Sequence, residues 1–121
     1  MPPAVADAGG LLVLAGLLEG VDHDVDEVVA LDATSLLLAE YLTIRHEGAP
    51  PKAAFDYGLV ERVVHEWLPV RGVAFEAALS SAANDIDIDA AASLVVAEML
   101  GLPLMTKSRD VVSDRVTVLY C

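Results

Sequence analysis

Four places in this 121-residue chain put acids or hydroxyls where simple packing has no need of them. Asp7 directly follows Ala4-Val5-Ala6, a short apolar stretch that reads as a buried strand. In open α/β sheets, binding sites form at the carboxyl ends of strands. The plainer role for Asp7 is to open a turn or cap a helix ahead of Gly9. Glu40 stands at helical spacing from Leu36, Leu37 and Ile44, which puts a carboxylate on an apolar stripe. Such a group must be paired, protonated or bound to a cation, because an isolated buried charge is too costly; its plainer role is a boundary residue that reaches water. Asp89 opens the Ala-rich run to Leu100. An acid there is commonly a cap, and the helix field that favours it also keeps it ionised, as a metal ligand must be. The fourth place is Thr106-Lys107-Ser108-Arg109-Asp110, which follows apolar Leu104-Met105. Its hydroxyls and carboxylate are placed to complete a metal or phosphate site, or else to form an ordinary polar loop. Asp85 and Asp87 alternate with Ile86 and Ile88 and read as solvent-facing.

The chemistry open to Asp7, Glu40 and Asp89 is that of a hard divalent cation. Mg²⁺ and Mn²⁺ prefer carboxylate and water oxygens. Three clustered acids without metal repel one another and raise at least one pKa. Bound metal relieves that repulsion, acidifies its water and offsets charge on a phosphate. Other chemistries find no support. His23, His46 and His65 lack close ligand spacing, and Cys121 is the lone cysteine, which excludes a thiolate zinc site and any intrachain disulfide. Gly9 and Gly10 do not make a phosphate-binding fingerprint. No Ser/His nucleophile motif occurs. Phe55 and Trp67 read as packing residues of the core or of a dimer face rather than platforms for bases.

The elements that must position these groups alternate between strand and helix. Ala4–Ala6 is followed by a helix from Leu11 to Leu18, stopped by Gly20, then by an acidic stretch from Val21 to Glu27. Val28 to Leu31 reads as a second strand. Asp32 or Thr34 would cap a helix from Ser35 to His46, ended by Gly48-Ala49-Pro50-Pro51. Further helices are expected over Phe55 to Trp67, with Pro69 breaking the chain, and over Val73 to Ala83. Asp89 to Leu100 is closed by Gly101. Pro103 to Thr106 and Val116 to Tyr120 complete the strands. Short apolar strands alternating with helices imply one α/β domain over residues 1–121, a three-layer sandwich whose mostly parallel central sheet carries helices on both faces.

The order of these segments resembles that of PIN domains. Val5-Ala6-Asp7-Ala8-Gly9-Gly10-Leu11-Leu12 resembles the family's opening strand and first acid, and Ser35-Leu36-Leu37-Leu38-Ala39-Glu40-Tyr41-Leu42 its helix with the second acid. Asp89-Ala90-Ala91-Ala92-Ser93-Leu94-Val95-Val96-Ala97-Glu98 resembles the helix that begins with the third. Gly101-Leu102-Pro103-Leu104-Met105-Thr106 resembles the strand leading to the fourth. The rival start Val29-Ala30-Leu31-Asp32-Ala33-Thr34 leaves only eight residues to Glu40, too few for the intervening helix. The departure is at the fourth acid, where the family pattern puts Asp two residues after Thr106 and this chain has Ser108. Either Asp110 substitutes, or the hydroxyls of Thr106 and Ser108 orient water around three carboxylates.

The resemblance implies a Mg²⁺- or Mn²⁺-dependent endoribonuclease, with metal on Asp7, Glu40 and Asp89 and with Thr106, Ser108 and Asp110 beside it. The small stand-alone members are VapC-like toxins, so it also implies an RNA substrate, an antitoxin that covers the acidic pocket, and a homodimer. Two other classes compete. A non-catalytic PIN-like module that binds a protein partner is favoured by Ser108. A phosphoacceptor receiver is disfavoured, since Asp7 has no acidic neighbour and no mid-chain Asp follows a clear strand.

Composition bounds these readings. Apolar residues make up 55% of the chain, enough for one core and too many for disorder. No apolar run approaches the roughly 18 residues of a spanning helix. The start Met1-Pro2-Pro3-Ala4 shows no basic leader region, so a cytoplasmic setting is expected. Nineteen acids against seven Lys and Arg give a net charge of −12, which opposes general RNA binding. A cation bridging carboxylate and phosphate, with Lys107 and Arg109 nearby, answers that objection.

Overall fold

Parallel strands cannot be joined by tight turns, so a sheet built this way must spend most of its chain on crossovers. The computed structural model describes residues 3–121; Met1 and Pro2, which begin the stretch without a basic leader, lie outside them. Strands β1 (Ala4–Ala6), β2 (Val28–Leu31), β3 (Glu66–Leu68), β4 (Leu104–Thr106) and β5 (Val118–Tyr120) form one sheet in the order β3-β2-β1-β4-β5. Every pairing is parallel, with Val5 opposite Val29 on one side and Leu104 on the other. The crossovers carry helices α1 (Ala8–Leu14), α2 (Asp32–Arg45), α3 (Pro50–Val63), α4 (Ala74–Asn84) and α5 (Ile88–Leu100). No helix among the described residues is long and apolar enough to cross a membrane.

Side chains alternate across a strand, and here the alternation sorts the helices into two layers. Ala4, Ala6, Val28, Ala30 and Met105 pack with Leu11 of α1, Leu38 and Leu42 of α2 and Val60 of α3. Val5, Leu31 and Leu104 face the other way, against Ala77 of α4 and Ala90, Leu94 and Ala97 of α5. The three-layer α/β sandwich expected from the sequence is therefore present, and its sheet is parallel throughout.

Element boundaries depart from the sequence reading in instructive places. Pro50 and Pro51 do not merely end α2. They start α3, where a missing N–H costs nothing in the first helical turn. That helix stops at Val63, and Glu66–Leu68 forms the edge strand β3 instead of a helix end. Its three residues are only partly covered, so no apolar alternation announces them. Neither Asp32 nor Thr34 caps α2; the helix opens at Asp32 with Leu31 as its cap residue, and no side chain bonds there. Phe55 lies exposed on α3, while Trp67 packs against the core.

Gly10 decides how closely α1 approaches the sheet. A Cβ added there would lie 2.6 Å from the Met105 carbonyl oxygen, inside any tolerable contact with backbone. Gly58, in mid α3, faces open space. The same substitution should thus have opposite signs. Gly10→Ala is expected to destabilise by roughly 1–3 kcal/mol through overpacking, and Gly58→Ala to stabilise by up to about 1 kcal/mol through helix propensity. Urea denaturation midpoints read both.

Candidate functional site

Strand order reverses direction between β1 and β4: the chain winds outward through β2 and β3, then returns to lay β4 on the other side of β1. Crevices open at such switch points, beyond the carboxyl ends of the two strands. Asp7 follows β1 there, and Lys107 and Ser108 follow β4.

Asp7 is the cap residue of α1 and is almost fully buried. Its Oδ1 accepts from the Gly10 N–H at 2.9 Å, and its Oδ2 accepts from the Thr106 hydroxyl at 2.5 Å. The Thr106 oxygen in turn accepts from the Ser108 N–H at 3.0 Å, which ties the loop after β4 to the acid. Asp89 comes in from the start of α5. Its Oδ2 accepts from the Ala8 N–H at 2.9 Å and its Oδ1 from the Thr34 hydroxyl at 2.6 Å. Both carboxylates thus grip the first turn of α1, whose unpaired N–H groups and dipole favour negative charge. Burial nevertheless dominates. It raises the Asp7 carboxyl from 3.8 to about 6, opposed by the bonds from Thr106 and Gly10 and reinforced by the charges of Asp89 and Asp87. Burial likewise raises Asp89, against the bonds from Thr34 and Ala8.

An open cleft of about 460 Å³ lies over this pair, lined by Asp7, Asp87, Asp89, Leu37, Lys107 and Ser108 and by the backbone of Ala8 and Gly9. Asp87 caps α5 by accepting from the Ala90 N–H at 2.8 Å. The cap of that helix is therefore Asp87, with Asp89 inside its first turn and free to turn toward α1.

Two of the sequence candidates do not join the site. Glu40 is exposed. The face of α2 that turns inward carries Thr34, Leu38 and Leu42, four residues apart, and Glu40 lies midway between the last two, about 200° around the helix from either. Leu36, Leu37 and Ile44, its apolar neighbours at helical spacing, are 75%, 44% and 67% exposed. Glu40 therefore lies on the outer stripe of α2, not the buried one its spacing suggests, and the residue that α2 presents to Asp89 is Thr34. Asp110 is also exposed and does not line the cleft, while Arg109 lies over the Tyr120 ring, 5.5 Å from its centre. Thr106 and Ser108 are where the sequence put them. Thr34 had a signal, its spacing with Leu38 and Leu42; Asp87 had none beyond its place before a helix.

The donors present are hard oxygens, and Mg²⁺ is commonly held by one or two carboxylates with water and substrate phosphate completing its shell. Asp7 and Asp89, destabilised as anions by burial, fit that requirement as a pair. Among the described residues, no three His, Cys, Asp or Glu side chains gather closely enough to hold a metal ion between them.

No family model matches the chain, and no curated protein does. Among solved structures it is similar to the crystal structure of PAE2754 from Pyrobaculum aerophilum, at 17% identity over 89% of this chain and 81% of that one, with a TM-score of 0.63. At that identity the likeness speaks for the fold.

A carboxyl that titrates higher in the folded state than in the unfolded one binds its proton more tightly when folded. Its stabilising contribution is whole below the unfolded value near 4 and is lost as pH climbs through about 6. Each unit is worth about 1.4 kcal/mol, so Asp7 withdraws roughly 3 kcal/mol from the fold at neutral pH. Asp7→Asn is therefore expected to be more stable than the parent protein above pH 7 in EDTA, by up to that amount. The difference should shrink toward zero below pH 4. Thermal melts across pH test it.

Proposed function

We propose that this chain is a Mg²⁺- or Mn²⁺-dependent endoribonuclease of the PIN type, with Asp7 and Asp89 as the metal-holding pair. The observation that carries the reading is the meeting of these two acids, 82 positions apart, in one cleft at the switch point of the sheet. Mg²⁺ or Mn²⁺ bound there would supply an acidified water and offset charge on the scissile phosphate.

The chain's own residues do the positioning. Gly10 and Thr106 fix both oxygens of Asp7, while Ala8 and Thr34 fix both of Asp89, so each carboxylate faces the cleft in one orientation. Asp87 adds a negative charge at the rim that favours a cation and disfavours a free phosphate. Lys107 lines the same cleft with its stem, while its ammonium donates to the Glu19 carbonyl at 2.8 Å and would have to leave that bond to meet a phosphodiester. RNA hydrolysis suits these parts better than broad RNA binding, since phosphate affinity from seven basic residues is weak.

Within this reading the chain is the toxin of a VapBC-like pair in the cytoplasm, working as a homodimer, with an antitoxin that covers the acidic cleft. The exposed face of α2, with Leu36, Leu37, Tyr41 and Ile44, gives a partner an apolar surface beside it. A second reading draws on one specific observation. Glu40 faces solvent and Ser108 stands in place of an acid, so a PIN-like module that binds a protein partner without catalysis is the alternative.

Asp7→Asn and Asp89→Asn should each lower Mn²⁺-dependent cleavage of RNA by about 100-fold or more, since metal stabilisation of the reaction is worth several kcal/mol. Glu40→Gln should leave the rate within a factor of about two, as expected of an exposed side chain. Folded parent protein, free of any partner, that cuts no RNA with Mn²⁺ would support the binding module instead.

A further inference from the structure

A second cavity shares a wall with the carboxylate cleft. It holds about 330 Å³ and meets the cleft at Asp89 and Leu37, which line both. Its floor is Leu31, Val70, Ala77 and Ala92, and Ile88 forms its outer lip. Apart from Asp89 it has no ionisable or hydroxyl side chain, and the small side chains of its alanines leave it open. Leu37 and Ile88 stand 44% and 56% exposed at its mouth with nothing packed over them. We propose that this slot takes a nucleobase of the RNA strand whose phosphate lies in the cleft, and so sets which nucleotide sits beside the cleaved bond. The inference rests on reading the cleft as a phosphodiester site.

Three observations favour a base over other occupants. The slot is near the lower end of the size range of small-ligand sites, right for one ring system and too small for a helix of a partner. Its position beside Asp89 places an occupant within one nucleotide of the acid pair. Charge supplies the third. With seven basic residues against nineteen acids, the protein has little side-chain charge with which to hold RNA phosphates, so burial of a base adds affinity that the surface does not supply. An apolar slot does this with little demand for particular hydrogen bonds. Asp89, its oxygens engaged by Ala8 and Thr34, has only remaining acceptor capacity to offer, which admits bases that present an amino group at the mouth.

The test compares adenosine 5′-monophosphate with ribose 5-phosphate, which lacks the base, by titration calorimetry of the whole chain with and without Mn²⁺. The nucleotide should bind about 10-fold more tightly, the order of gain that burying one face of a ring against aliphatic side chains supplies. Ala74→Phe or Ala33→Phe fills the slot from exposed positions in its lining and should remove that advantage, leaving ribose 5-phosphate and Mn²⁺ binding unchanged. Equal binding of the two ligands with Mn²⁺ overturns the slot and spares the metal reading. Tighter binding of the nucleotide that ignores Mn²⁺ supports the slot and counts against the metal. Binding of neither, or a dimer of the chain that Ala74→Phe dissociates, overturns it and gives the slot to another occupant.

Discussion

The first turn of α1 is held from two sides by two acids, and the rest of the molecule is arranged around that grip. Asp7 caps the turn from within the same segment and takes a second bond from Thr106 of β4. Asp89 reaches the same turn from α5, in the opposite layer, and takes its second bond from Thr34 of α2. Four hydrogen bonds thus join α1, α2, α5 and β4 at one point on the rim of the sheet. They hold only if α1 lies close to β4, which is why position 10 has no side chain: any Cβ would meet the Met105 carbonyl. The alanines of α5 serve the same end, letting that helix settle on Val5 and Leu104 so that its first turn reaches across.

The grip is not there for stability alone. Hydrogen bonds and the dipole of α1 favour the ionised acids, yet burial outweighs them and leaves both carboxyls raised. A core built for stability would place neutral groups here, because a buried charge with imperfect compensation costs more than the apolar or amide residue it displaces. The fold carries this cost at the switch point of the sheet, where a crevice opens. A cation entering from the cleft would reverse the sign of the balance by stabilising the anions directly. The full orientation of the acids suits that role, since two carboxylates serving as a ligand pair would have little charge to spare for misaligned oxygens.

Much of this was legible in the sequence, and for physical reasons. Ala4-Val5-Ala6 could only be a buried strand, since three small apolar residues before an acid and two glycines leave no surface role, and Asp7 was thereby placed at a strand end. The Ala-rich run after Ile88 with Gly101 beyond it admitted no other element, and Gly101 does close α5 in a left-handed conformation at φ 67°. What the sequence hid was rotation. On α2, leucines at 36, 37, 38 and 42 and Ile44 surround the helix almost completely, so composition fits several inward faces and cannot choose among them. The face with Thr34 turns inward, and Glu40 turns outward together with Leu36, Leu37 and Ile44. The edge strand β3 was hidden for a related reason: a strand covered on part of one side shows no alternation.

That rotation changes the character of the site. Had Glu40 faced the cleft, three acids would have met there and their mutual repulsion would have demanded a cation or a proton. With Thr34 in that place the hydroxyl donates to Asp89 and offsets part of the cost of its charge. Thr106 does the same for Asp7. Each hydroxyl exchanges electrostatic attraction for position: the pair would attract a divalent ion less strongly than a trio, but would meet it with oxygens already aimed. If the proposed metal binds here, two carboxylates leave most of its shell to be completed by water or by a phosphate. On that reading metal and substrate would strengthen each other's hold on the cleft.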